Sequence, residues 1–259
     1  MNESGPVSEV PVPVRVERRG TEGTVLWVQI DHPPVNALAG PVRAGLIAAA
    51  QAAHDTSVRV AVLTGNGHCF SAGGNIQELA SLEDAEMARH VHADYLELYR
   101  SWYTVPVPTI AAIRGYALGG ALELALSADL RYATEEAFFA ASGVKMGLVE
   151  SAHSLPAVVH DTTAAEMLFT GRRVSAAEAQ ACGLVTRVVD DLEQDVAEVA
   201  ASIADHPSQA VRATKAVLRA GRGPGRGEAA ELAIALWRQL QREPVHRDIA
   251  RAFMTRRTR

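Results

Sequence analysis

The chain has 259 residues, 48% of them hydrophobic and 21% charged, which gives enough apolar material for a sizeable core and too little charge for a mostly disordered chain. A formal net charge of −5 argues against a nucleic-acid binder, whose footprint is basic, while an anionic small ligand stays open because local field outweighs net charge. Cys69 and Cys182 are far apart and outside any CxxC pattern, so there is no zinc signature and no disulfide framework, and no apolar stretch approaches the roughly 20 residues that span a bilayer; a cytoplasmic chain is the expectation.

Residues 1–13 read as a flexible tail, polar and proline-bearing at Pro6, Pro11 and Pro13, without the basic region and apolar run of a signal peptide. Thr24 to Ile30 reads as a strand, Val42 to His54 as an alanine-rich helix, and Val58 to Leu63 as a second strand closed by the Gly65-Asn66-Gly67 turn. Ser81 with Asp84 forms a capping-box pattern ahead of a long helix carrying Tyr95, Leu98 and Tyr99, which Pro106 and Pro108 stop. Thr109 to Ile113 is a third strand, Ala121 to Ala128 an apolar helix, and Leu130 to Ala133 and Ala137 to Ala140 short strands. Ala164 to Leu168 is helical; Ser175 with Glu178 caps another helix that Gly183 ends, and Leu184 to Val189 is a last strand. Strand–helix–strand order predicts an α/β core with parallel pairing over 14–192. Residues 193–259 read as a helical C-terminal region, broken by Pro207 and by Gly221 to Gly227. Leu232, Leu236, Leu240, Ile249 and Phe253 give apolar positions near helical spacing there.

Several chemistries are excluded by pattern. There is no GxxxxGK[ST], no GxGxxG after a strand and no GxSxG elbow. His90 and His92 are two apart and so on different helix faces; they read as solvated, and no metal site is expected.

Two glycine-rich segments remain, Phe70-Ser71-Ala72-Gly73-Gly74-Asn75 and Gly115-Tyr116-Ala117-Leu118-Gly119-Gly120. Each follows a strand and leads into a helix. Small residues there let a ligand approach bare backbone N–H groups, and a helix start adds unpaired donors and positive dipole character. Two such segments converging would make an oxyanion hole; the competing reading is tight strand–helix packing. Glu123 is the only charged residue between Arg114 and Asp129, on a helix apolar on most sides. Two readings fit it: a structural carboxylate paired with Arg114 or Arg131, or a proton-transfer group whose pKa burial raises.

Together these residues resemble the crotonase superfamily, the enoyl-CoA hydratase/isomerase family. Asp31-His32-Pro33-Pro34-Val35-Asn36-Ala37-Leu38 is similar to its early CoA-contacting segment. Val62 to Gly65 with Phe70 to Asn75 resembles its first oxyanion-hole segment, and Ile113 to Gly120 its second. Gly171-Arg172-Arg173, Ser175 to Ala179 and Gly183-Leu184-Val185 resemble its later helix-and-strand signature. The resemblance implies an α/β spiral of repeated ββα units, with C-terminal helices in a homotrimer or dimer of trimers. It implies that the N–H groups of Gly74 and Gly120 hold a thioester oxygen, and that Pro34, Val35, Ala37, Ala72, Gly73 and Ile76 contact CoA. It implies no cofactor beyond the CoA thioester substrate, and no nucleic-acid or membrane partner.

Glu123 matches one of two glutamates that the family's hydratases use. The second is expected about twenty residues on, where this chain has Gly143. Glu150, just after Gly147, is the substitute the sequence offers, either a catalytic acid or an ordinary loop acid, and His153 is a further candidate. Hydration or isomerisation of a 2-enoyl-CoA is the leading expectation. Decarboxylation, thioester hydrolysis and acyl-CoA binding without catalysis are the alternatives.

Overall fold

Apolar runs without alternation belong to strands covered on both faces, and the centre of this fold is built from three of them. The computed structural model describes residues 12–82, 85–220 and 245–257. Strands β2 (Val25–Ile30), β3 (Val60–Gly65) and β4 (Thr109–Ile113) are buried almost throughout and pair in parallel. On one side β1 (Val14–Arg19) adds antiparallel to β2. Its Arg15, Glu17 and Arg18 are exposed, as suits an edge strand that must not recruit further chains. On the other side β6 (Leu130–Ala133) and β9 (Arg187–Val188) follow in parallel, giving the order β1-β2-β3-β4-β6-β9.

A second, smaller sheet joins β5 (Tyr116–Leu118), β7 (Phe138–Ala140) and β8 (Val174–Ser175). Isolated parallel bridges Ser71–Ala117 and Leu38–Gly74 continue it past β5. Successive turns therefore add a strand to the large sheet, a short extended piece to the small one, and a helix. This is the spiral of ββα units. Helices α1 (Gly40–Ala52), α2 (Ile76–Ser81), α3 (Ala85–Tyr103), α4 (Gly120–Ser127), α5 (Asp161–Thr170) and α6 (Ala176–Ala181) belong to these turns. The Trp102 indole, fully buried, donates to the Leu46 carbonyl at 3.1 Å and ties α3 to α1.

Beyond β9 the chain is helical in α7 (Leu192–Ala204), α8 (Ser208–Ala220) and α9 (Val245–Arg257), with Pro207 in the break between the first two. Val196 and Ala200 of α7 cover the outer face of the large sheet beside Trp27, Val62 and Ile110. Lys215 of α8 is buried and reaches Asp129 at 2.6 Å and the Val107 carbonyl at 2.5 Å. Burial pushes the Lys215 ammonium down to about 8 against the attraction of Asp129.

Several sequence-based expectations change here. The last strand shortens to two residues because Leu184 and Val185 close the preceding helix, Val185 N–H donating to Ala179 at 3.0 Å. His92 is buried at 6% exposure, not solvated. The helix expected after Asn75 is α2, whereas the strands β1, β5 and β8 have no counterpart in the sequence reading. The assignments on residues 1–11, Asp84, Gly221 to Gly227, Leu232, Leu236 and Leu240 lie outside the described residues.

Candidate active site

The loop 31–38 is held by one side chain. Asn36, at φ 51°, accepts from His32 N–H at 3.0 Å and donates to the carbonyls of Asn66 and Cys69, both at 2.9 Å. Ser71 donates to the Asn36 carbonyl at 2.6 Å and accepts from Gly73 N–H at 3.0 Å. Ala72 N–H donates to Val35 and Leu38 N–H to Gly73. Of the residues expected to meet CoA, Pro34, Val35 and Ala37 thus lie alongside Ala72 and Gly73. Ile76 opens α2, where Asn75 caps the helix by accepting from the N–H groups of Gln77 and Glu78.

The two glycine segments meet. Gly73 has φ +86°, and a Cβ there would collide with the Leu118 carbonyl oxygen and stand 3.1 Å from Gly120 N. Because the Leu38 amide takes the Gly73 carbonyl, the parallel bridge passes Gly74 by; its N–H donates to no protein acceptor among the described residues. The same holds for the N–H of Gly120, first residue of α4. A Cβ placed on Gly120 would lie 3.7 Å from Gly74 N, so the two amides sit side by side.

Glu123 lies one turn into α4, at 5% exposure. Neither expected arginine pairs with it. Arg114 is exposed, and Arg131 points to the carbonyls of Leu184, Ala125 and Ala128. Its partners come from one short loop instead. Ser154 Oγ donates to Glu123 Oε2 at 2.5 Å, and His153 Nε2 stands 3.4 Å from Oε1. These contacts satisfy a carboxylate that would otherwise be costly to bury and fix its rotamer.

The same loop delivers Glu150. Gly147 and Ser151 both have positive φ, 71° and 57°, and turn the segment between them back over the site. A Cβ on Gly143 would lie 2.9 Å from Glu150 Cγ and 3.0 Å from its Oε2; one on Gly119 would lie 2.7 Å from that same oxygen. Glu150 therefore fills the room that a side chain at 143 would occupy, and its carboxyl end reaches the turn that leads into α4. Burial first, and the charge of Glu123 second, push the Glu150 carboxyl up to about 7.

The sequence reading did not single out Ser154 or Tyr99. Tyr99 of α3 places its hydroxyl 2.6 Å from where a Gly120 Cβ would be. The available signal was the spacing of Tyr95 and Tyr99, four apart and so on one helix face. For Ser154 there was no such signal.

Comparison with known proteins gives the family and the fold. Residues 20–258 match the family model described as enoyl-CoA hydratase/isomerase. A probable enoyl-CoA hydratase from Mycobacterium avium is 35% identical over 213 residues, 79% of this chain and 82% of that protein. A carnitinyl-CoA dehydratase from Salmonella typhi is 34% identical over 207 residues, 76% of this chain and 78% of that protein. The crystal structure of an enoyl-CoA hydratase/isomerase from Mycobacterium paratuberculosis superposes with a TM-score of 0.87 at 28% identity, covering 94% of this chain and 99% of that one. With the family model matching residues 20–258 and the spiral core in place, the chain belongs to the enoyl-CoA hydratase/isomerase family.

Proposed function

We propose that the protein binds a 2-enoyl-CoA thioester and hydrates it or shifts its double bond. Gly74 and Gly120 N–H form an oxyanion hole for the thioester oxygen, and Glu123 and Glu150 move the protons. The observation that carries this reading is the convergence of two backbone amides, without a protein acceptor among the described residues, beside the buried carboxylate of Glu123 and the half-buried one of Glu150. Donors fixed in advance act most strongly where charge develops, and losing one costs about 3–4 kcal/mol of barrier. In hydration, Glu123 accepts a proton from water as its oxygen adds to the β-carbon. The thioester oxygen takes the negative charge, and neutral Glu150 gives its proton to the α-carbon. Pro34, Val35, Ala37, Ala72, Gly73 and Ile76 contact CoA, whose thioester supplies the needed acidity without a further cofactor.

The test is the loss of conjugated-thioester absorbance when crotonyl-CoA is added. Sustained loss supports the reading. Tight CoA-thioester binding without turnover across a thioester panel would leave an acyl-CoA binder instead.

The working form we propose is a cytoplasmic homotrimer, or a dimer of trimers. Phe169, Val217 and Leu218 are exposed apolar residues that assembly would cover. Cys69 and Cys182 are both free thiols, and no helix among the described residues is long and apolar enough to cross a membrane. Light scattering coupled to size-exclusion chromatography is expected to return three or six chain masses; a monomer would refute the assembly.

A further inference from the structure

A phenol hydroxyl stands beside the two glycine amides with no hydrogen-bond partner among the described residues. It belongs to Tyr99. One helical turn earlier Tyr95 is likewise half-buried and packs ring to ring with it, centroids 6.1 Å apart. Tyr95 uses its O–H on the Leu38 carbonyl at 2.9 Å. A tyrosine taken out of bulk water normally finds such an acceptor, because an unmade hydrogen bond leaves the desolvation cost uncompensated. Tyr99 is half-buried like its neighbour, yet among the described residues no acceptor meets its hydroxyl, which faces the space beside Gly120.

The position of that hydroxyl is fixed by the absence of a side chain at 120. The point where a Gly120 Cβ would stand is 2.6 Å from the Tyr99 hydroxyl and 3.7 Å from Gly74 N. Residue 120, the amide of residue 74 and the phenol thus surround one small volume. Residue 120 must be glycine on this account because a Cβ there would stand where the phenol comes close.

We propose that Tyr99 is a catalytic residue, a third hydrogen-bond donor to the thioester oxygen that completes the grip of the Gly74 and Gly120 amides. This rests on the reading that those amides bind that oxygen. The tyrosine keeps its proton throughout. No bond to it breaks; its hydrogen bond strengthens as negative charge builds on the oxygen and relaxes as the charge returns to carbon. The surroundings suit a donor rather than a base. Burial, then Glu150, Tyr95 and Glu123, hold the phenol protonated well above its ordinary value of 10.

The experiment uses butyryl-CoA carrying 13C at the carbonyl, which binds but has no double bond to react, and reads the carbonyl stretch of the bound thioester by isotope-edited infrared spectroscopy. Tyr99→Phe keeps the ring and its packing on Tyr95. Wild type is expected to lower the stretch on binding, and Tyr99→Phe to recover at least a third of that lowering. With crotonyl-CoA, kcat of the variant is expected to fall tenfold to a hundredfold while KM changes less than threefold. A variant with an unchanged stretch, whatever its KM, overturns the proposal and leaves Tyr99 as a wall of the pocket. Butyryl-CoA bound to wild type with no lowering at all overturns the oxyanion-hole reading itself, and the third donor with it. Tyr95→Phe is the control for helix packing: a recovery of the stretch as large as that in Tyr99→Phe would also overturn the assignment.

Discussion

Glu123→Gln is expected to lower kcat for crotonyl-CoA hydration by about 10³-fold, the middle of the range for a positioned acid–base group, with KM nearly unchanged. The substitution is close to isosteric. The amide oxygen can still accept from Ser154, which now holds the carboxylate at 2.5 Å, so the fold has little reason to respond. What disappears is the ability to take a proton from water in the transition state. An interaction made only there lowers kcat and kcat/KM equally. The variant also reports on Glu150. Its raised pKa has two causes, burial and the charge of Glu123; the amide removes the second and leaves the first. The alkaline fall of the residual activity should therefore begin at a lower pH than in wild type. Activity within threefold of wild type would mean that Glu123 is a structural carboxylate held by Ser154 and His153 and nothing more.

The parts of this site that were legible in the sequence are those where chemistry restricts residue type. Gly73 and Gly120 are glycines because backbone and phenol approach where a Cβ would be, and such positions show as runs of small residues after a strand. Glu123 was conspicuous as a lone charge on an apolar helix, although its partners were not. Arg131 looked available, but the fold commits it to three carbonyls. Ser154 and His153 reach Glu123 only because a loop with left-handed turns at Gly147 and Ser151 folds over α4. No periodicity encodes that path. The small sheet, apart from β7 within Ala137 to Ala140, was hidden for a related reason. Its strands run two or three residues, too short for alternation to register, and its continuation consists of single bridges at Ser71 and Leu38. The large sheet, with buried runs of five and six apolar-rich residues, was readable throughout its centre.

Glu150→Gln is the variant that decides whether the missing acid at 143 has been replaced. Gly143 leaves a gap, and Glu150 is folded into it with Cγ and Oε2 at 2.9 and 3.0 Å from the position of a Cβ there. Proximity alone would suit a structural acid, so the titration has to carry the decision. A donor to the α-carbon must be protonated, and the Glu150 carboxyl titrates at about 7. Wild-type kcat/KM is then expected to fall tenfold per pH unit above about 7, since that parameter follows the free enzyme. In Glu150→Gln the limb should vanish and the plateau should drop about 10²–10³-fold. Folding stability supplies a reading that needs no substrate. The carboxyl has its ordinary value of 4.5 in the unfolded chain and about 7 in the folded one. Between those values the folded chain holds a proton that the unfolded chain has released, so wild-type stability falls as pH rises through this window and levels off above it. The amide that replaces the carboxyl in Glu150→Gln has no proton to lose. The stability difference between variant and wild type should therefore move in the variant's favour by about 1–3 kcal/mol from pH 4.5 to pH 7.5, measured by urea unfolding across that range. A parallel pH dependence in both proteins, together with an alkaline limb retained by the variant, would place Glu150 in water rather than between Gly119 and Gly143, and the proton for the α-carbon would have to come from elsewhere.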